Sequence, residues 1–160
     1  MIAADPAMDV SHATKCELAS EVICSFGKLR LQVTGWSMLP TVWPGDTLLL
    51  ERAEISSVGE GDIVLFSRER RLFAHRVVGS SNHGFLTRGD AMATPDIPVD
   101  KAAILGRVSH IIRDGRSIEP RKALRVGERA IASLVQYSEI AARIMVGVRG
   151  LIQSSKVQTA

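Results

Sequence analysis

The sequence predicts a mainly β protein with a short N-terminal helix and a long C-terminal amphipathic helix. Three observations predict it. Between about residues 28 and 118, apolar residues alternate with polar ones or gather in short runs, divided by Pro-Gly, Gly-Asp and Asp-Gly breakers. Before and after that region the apolar residues recur at helical spacing instead. With 160 residues the chain can bury one real core but not two. We therefore expect a loose leader over 1–13, a β domain with its N-terminal helix over 14–120, and an amphipathic helix and tail over 121–160.

Taken in order, Met1 to His12 mix small, acidic and polar types and read as the leader. Thr14-Lys15-Cys16-Glu17 offers a capping box, and Leu18, Val22, Ile23 and Phe26 follow at helical spacing until Gly27 stops the run. Leu29, Leu31 and Val33 then alternate with Lys28, Arg30 and Gln32, the sign of a half-buried strand. After the Pro44-Gly45-Asp46 turn, Thr47 to Leu50 form an apolar strand, and Gly61-Asp62 introduces another in Ile63-Val64-Leu65-Phe66. The charged loop Ser67-Arg68-Glu69-Arg70-Arg71 reads as a solvated hairpin turn, leading back into Leu72 to Val78. Beyond the Ser80-Ser81-Asn82-His83-Gly84 turn come a short strand, Phe85 to Arg88, and a loop holding Gly89-Asp90 and Asp96. Ile104 to Val108 and Ile111-Ile112 continue as strand, and Asp114-Gly115 turns the chain into Ser117-Ile118. From Lys122 to about Gln153 the period is helical. Ile131, Leu134, Val135, Ala141, Met145, Val148 and Ile152 line one face, and Arg125, Arg129, Gln136 and Arg143 another.

Composition bounds the partners. A net charge of +3 spread along the chain is what a solvated basic surface gives, so no nucleic-acid partner is expected. Cys16 and Cys24 make no CxxC pair and read as small core residues rather than a zinc or redox site. No apolar run approaches the roughly 20 residues of a spanning helix, and the first thirty residues lack the pattern of a signal peptide. The expected location is therefore cytoplasmic. A basic amphipathic helix such as 122–153 lies on an anionic membrane, on a partner, or over its own sheet, and the pattern leaves these open.

One stretch carries the chemistry: Gly35-Trp36-Ser37-Met38-Leu39-Pro40-Thr41. Glycine before and proline after give Ser37 permissive backbone on one side and stiff backbone on the other, so its hydroxyl can be aimed. A serine hydroxyl attacks only when a base removes its proton. His75 sits mid-strand among apolar neighbours and is the first candidate. Asp90 and Asp96, on a loop marked by glycine and proline, serve as turn formers or as supports for the site.

These fragments fall in a familiar order. The Ser37 stretch, Gly45-Asp46, Gly61-Asp62-Ile63-Val64, His75-Arg76-Val77-Val78-Gly79, Thr87-Arg88-Gly89-Asp90 with Asp96, and Leu105-Gly106-Arg107-Val108 together resemble type I signal peptidases. The resemblance spans about Gln32 to Val108 and places the chain in the signal peptidase and LexA-like peptidase superfamily. It implies coiled antiparallel sheets, a serine nucleophile, and no metal or organic cofactor. It also implies that His75 is the base, as in the endoplasmic-reticulum-type branch, where the common bacterial enzymes use lysine. None of the five lysines, Lys15, Lys28, Lys101, Lys122 and Lys156, lies on the strand after Gly61-Asp62. Asp90 and Asp96 are implied as supports, and the spacing does not say which meets the imidazole.

Gly35, Trp36 and Met38 are the expected oxyanion and substrate-side residues. Signal peptidases usually carry a serine where this chain has Gly35, so the oxyanion would rely on backbone N–H groups, that of Ser37 first. Ala91 and Met92 also replace the asparagines that often follow the Gly-Asp pair. The implied function is a serine endopeptidase cutting a signal-peptide-like or leader-peptide substrate, bound as an extended strand with small side chains in an Ala-x-Ala pattern. A self-cleaving LexA-like regulator and a non-catalytic peptide-binding or membrane-peripheral module are the alternatives on the same fold.

Overall fold

The computed structural model describes residues 6–82 and 84–137. Their order is α1 (Pro6–Phe26), β1 (Lys28–Gln32), β2 (Thr47–Glu51), β3 (Ile63–Arg68), β4 (Arg71–Ser81), β5 (Gly84–Arg88), β6 (Ile104–Arg113), β7 (Arg116–Ile118) and α2 (Val126–Tyr137). The seven strands form one antiparallel sheet in the order β1-β2-β6-β3-β4-β5, with β7 paired to β6. The protein is thus mainly β, with a helix at each end of the sheet sequence.

The centre of the sheet is β3. All four residues of its Ile63-Val64-Leu65-Phe66 run are buried, as a continuous apolar run requires of a strand covered on both faces. Ile63 and Leu65 pack with Ile23, Leu48, Leu50, Val108 and Ile111, whereas Val64 and Phe66 pack with Val58, Val77, Phe85 and Val99. Register shifts between Leu49 and Leu50, Leu65 and Phe66, and Val77 and Gly79 each leave one extra residue in the facing or same strand, which bends and twists the sheet.

The two tight hairpins follow the breakers. Arg68 pairs with Arg71 across Glu69-Arg70, both at positive φ, so the charged loop is a two-residue turn. Arg113 pairs with Arg116 across Asp114-Gly115 in the same way.

The helices differ from expectation. Residues 6–13, expected to be loose, are helical, with Pro6 suited to the first helical position; the Thr14-Glu17 box lies inside the helix. The buried face of α1 is Cys16, Ala19 and Ile23, and two of the residues expected there, Leu18 (58% exposed) and Phe26 (77%), face solvent. The lack of a side chain at Gly106 of β6 lets the helix come close to the sheet: a Cβ there would stand 2.5 Å from Ile23 Cδ1. Cys24 is exposed, so only Cys16 is the core residue that both were expected to be.

The second helix begins at Val126 rather than Lys122, because the Glu128 carboxylate reaches back to the Arg125 N–H at 2.7 Å and fixes the start there. Its buried residues are Ala132 and Val135, while Ile131 and Leu134 are exposed. The expected face residues Ala141, Met145, Val148 and Ile152, Arg143 opposite them, the leader residues 1–5 and His83 lie outside the described residues.

Candidate active site

Ser37 stands in the connection between β1 and β2. The Val33 N–H donates to the Asp46 carbonyl and the Gly45 N–H to the Val33 carbonyl, so the ladder closes at the base of the loop and residues 34–44 project from it. Asp46, 2% exposed, holds the loop's far side by accepting from the Trp43 N–H at 2.8 Å and from the Arg113 guanidinium at 2.6 Å. Arg113 also donates to the Thr41 carbonyl. Beneath the loop, Leu39 packs with Ala91 and with Val135 of α2, and Trp36 and Trp43 flank that cluster.

The loop after β5 fixes Ser37 from the other side. The Ala91 N–H donates to the Ser37 carbonyl at 2.9 Å. Gly89 lies so close that a Cβ there would stand 2.6 Å from the Ser37 carbonyl oxygen and 3.1 Å from its Cβ. Glycine at 89 is therefore a matter of space against the serine.

His75 lies on β4 opposite Val64, one residue before β4 begins to pair with β5 at Arg76. Its ring is buried, with Phe66 at 5.9 Å edge-on and Phe73 at the same distance. Nε2 stands 3.1 Å from Ser37 Oγ, and Nδ1 2.7 Å from Asp96 Oδ2. An ionised carboxylate only accepts, so the proton belongs on Nδ1, which leaves Nε2 free to accept from the serine hydroxyl. The Thr87 hydroxyl donates to the same Asp96 oxygen at 2.7 Å and holds the carboxylate in place.

Burial pushes the Asp96 pKa up, but the hydrogen bonds from His75 and Thr87 and the charges of His75 and Arg68 outweigh it, so the carboxyl sits below the usual aspartate value of 3.8. A hydroxyl, an imidazole and a carboxylate in series can move a proton off the serine and stabilise the imidazolium that results.

Asp90 has another place. Its two oxygens accept from Arg76 Nε and Nη2 at 2.8 Å each, and the Thr41 hydroxyl donates to it as well. Arg76 also donates to the Gly61 and Arg121 carbonyls. This buried pair ties the Ser37 loop, β4 and the chain approaching α2 together, and it does not touch the imidazole. The sequence left Asp90 and Asp96 open as the partner of His75, and the structure puts Asp96 there. Of the expected substrate-side residues, Gly35 and Met38 line a groove beside Ser37, whereas Trp36 packs against the Leu39 cluster.

That groove has a volume of about 790 Å³ and reaches both Ser37 and His75; Leu31, Val33, Met38, Leu48, Leu65 and Leu72 give it apolar walls. Two strand edges flank it. Among the described residues, β1 pairs only with β2, and residues 71–75 of β4 have no partner on the β5 side.

Three residues of this arrangement were not singled out from sequence. Thr87 has a signal in hindsight, being a polar residue that shares the buried alternation of β5 with Phe85. Arg76 was part of a matched fragment but had no role, and Arg113 stands at a strand end with nothing to distinguish it. Among the described residues no group of three or more His, Cys, Asp or Glu side chains is placed to hold a metal ion. No helix among them is long and apolar enough to cross a membrane.

A search of curated proteins found no match to the chain. The Peptidase S24-like family model matches residues 3–109, more than half of the chain and the whole stretch from Ser37 to Asp96. This chain, with its serine, histidine and aspartate in hydrogen-bonded series, belongs to the Peptidase S24-like family.

Proposed function

We propose that this protein is a serine endopeptidase of the histidine-using, signal peptidase-like kind. The observation that carries the reading is the series Ser37 Oγ, His75 Nε2, His75 Nδ1 and Asp96 Oδ2, closed at 3.1 and 2.7 Å. His75 takes the Ser37 proton as the oxygen attacks a peptide carbonyl, and Asp96 stabilises the imidazolium. Backbone N–H groups about Ser37 hold the oxyanion, since Gly35 offers no hydroxyl. Collapse of the tetrahedral intermediate breaks the C–N bond, the imidazolium gives its proton to the leaving amine, and the serine keeps the acyl group as an ester. Water, deprotonated by the same imidazole, then hydrolyses the ester.

The substrate is a precursor or leader peptide in extended form. The edges of β1 and of residues 71–75 on β4, which have no further strand partner among the described residues, favour this, because an added strand satisfies its backbone groups on such edges. The test combines a peptide-library cleavage assay with acylation by a fluorophosphonate. Wild type is expected to cut and to be labelled at Ser37, and Ser37→Ala and His75→Ala to lose nearly all turnover; a Ser37→Ala protein that still cuts overturns the reading.

A second reading concerns attachment. Val126, Ile131 and Leu134 are exposed on α2 together with the basic residues Arg125 and Arg129, which favours peripheral contact with an anionic membrane through residues 122–153. Co-sedimentation with anionic vesicles, with and without residues 122–160, tests it.

A further inference from the structure

The groove beside Ser37 is large. Among the described residues that line it, the charged ones are both cations, Lys15 of α1 and Arg71 at the start of β4, with His12 beside them and no aspartate or glutamate. Lys15 and Arg71 are exposed. Among the described residues neither makes an ion pair or a side-chain hydrogen bond. Asp96 lies on the far side of the imidazole from Ser37 and is committed to His75 and Thr87. The walls are leucine, valine and methionine, and a volume of about 790 Å³ is of the size that encloses a drug-sized ligand, well beyond what two alanine side chains fill.

We propose that the groove selects an extended peptide with bulky apolar side chains and at least one carboxylate, which pairs with Lys15 and Arg71. The proposal rests on the endopeptidase reading for its use and replaces the small-side-chain preference of Ala-x-Ala with a larger apolar one. The partly exposed Leu31, Val33, Leu72 and Phe73 provide the binding energy, because they lose water when an apolar group of matching size enters, while buried Met38, Leu48 and Leu65 form the floor behind them. The two cations choose among apolar peptides. An exposed pair is a modest discriminator, and reversing its sign turns attraction into repulsion, so the expected effect is about threefold to tenfold for each residue and weakens in salt.

Binding and turnover are measured separately. Fluorescence anisotropy on full-length Ser37→Ala protein uses four labelled decapeptides: apolar with two glutamates, apolar with two lysines, apolar and uncharged, and an uncharged Ala-x-Ala sequence. The acidic apolar peptide is expected to bind tightest. Lys15→Glu with Arg71→Glu should weaken it by about tenfold or more and tighten the lysine peptide, with Lys15→Gln and Arg71→Gln falling between. Circular dichroism checks that each variant is folded. Equal binding of the acidic and basic peptides, a preference for the Ala-x-Ala peptide, or no exchange of preference in the double reversal overturns the proposal. Cleavage of the same peptides by wild type separates the two readings. Selective binding without cutting removes the endopeptidase and keeps the groove, and cutting without charge or size preference does the reverse.

Discussion

Asp90 and Asp96 are the same residue type on one loop, yet their surroundings give them different work. Asp96 has two hydrogen-bond donors, the His75 imidazole and the Thr87 hydroxyl, and the Ser37 hydroxyl lies beyond the first. Asp96→Asn keeps the shape but lets the amide donate to Nδ1, which reverses the tautomer and takes the lone pair off Nε2. We expect kcat to fall by about 10⁴-fold with little change in unfolding free energy, as measured by peptidase kinetics and urea titration. Asp90→Asn leaves the buried Arg76 without its counter-charge, and we expect a loss of about 3–5 kcal/mol in the urea titration instead. The depressed pKa of Asp96 also has a sign. Between the folded value and the usual 3.8 the unfolded chain binds more protons, so stability from this group is fully present above that value and is lost as pH falls through the folded one. The small stability difference between wild type and Asp96→Asn should be flat at neutral pH and shrink only in strong acid. A shrinkage beginning near neutral pH would contradict the assignment. Two glycines complete this scale. Gly89→Ala should displace Ser37 and remove most activity, whereas a Cβ at Gly35 meets nothing within 4 Å, so Gly35→Ser should fold normally and raise acylation by Ser37 if its hydroxyl reaches the oxyanion.

At the scale of elements, the strands were legible and the helix faces were not. Period-two alternation marks β1, and the runs of β2 and β3 lie between breakers that the chain uses as turns. In α1, hydropathy singles out Leu18 and Phe26, but the helix docks through Cys16, Ala19 and Ile23, and the Ile23 side chain takes the space that glycine at 106 leaves open. That approach is a property of the pair of elements and has no trace in the helix alone. The three Gly-Asp pairs teach the same thing for the site. Asp46 and Asp62 each accept from the N–H three residues earlier, at Trp43 and Gly59, and so close their own turns. Asp90 reaches across the fold to Arg76 and Thr41. The dipeptide reads alike in all three, so the serine and histidine could be found from sequence while the sharing of labour between Asp90 and Asp96 could not. The loop that carries Ser37 depends on one such long-range tie. Arg113→Ala should take the guanidinium away from the buried Asp46 carboxylate, costing about 3–5 kcal/mol in urea unfolding. In the part that stays folded, labelling of Ser37 by a fluorophosphonate should slow as the loop loosens.

For the whole molecule, β3 is where stability and the site meet, because alternate residues of one strand serve the two cores. Leu65 belongs to the core that also holds Met38 and Val42 of the Ser37 loop, and Phe66 belongs to the opposite core and presents its ring to His75. Domains of this size have a net stability of about 5–15 kcal/mol, so one core truncation removes a large share of it. Leu65→Ala should cost about 2–5 kcal/mol in urea unfolding through the cavity it leaves. Leu65 also walls the groove and packs with Met38, so KM should rise, but because His75 is oriented from the other face kcat per folded molecule should fall less than it does in Phe66→Leu. Phe66→Leu keeps the opposite core nearly filled and should cost less stability, but it removes the ring that fixes the imidazole edge-on, so kcat should fall more than stability does. Measuring both quantities for both variants gives a crossed pattern if the base is positioned by the second core and the global fold by both. If the two variants instead lose activity only in proportion to the unfolded fraction, then His75 is held by Asp96 alone and the aromatic contacts of β3 and β4 are packing without a part in the chemistry.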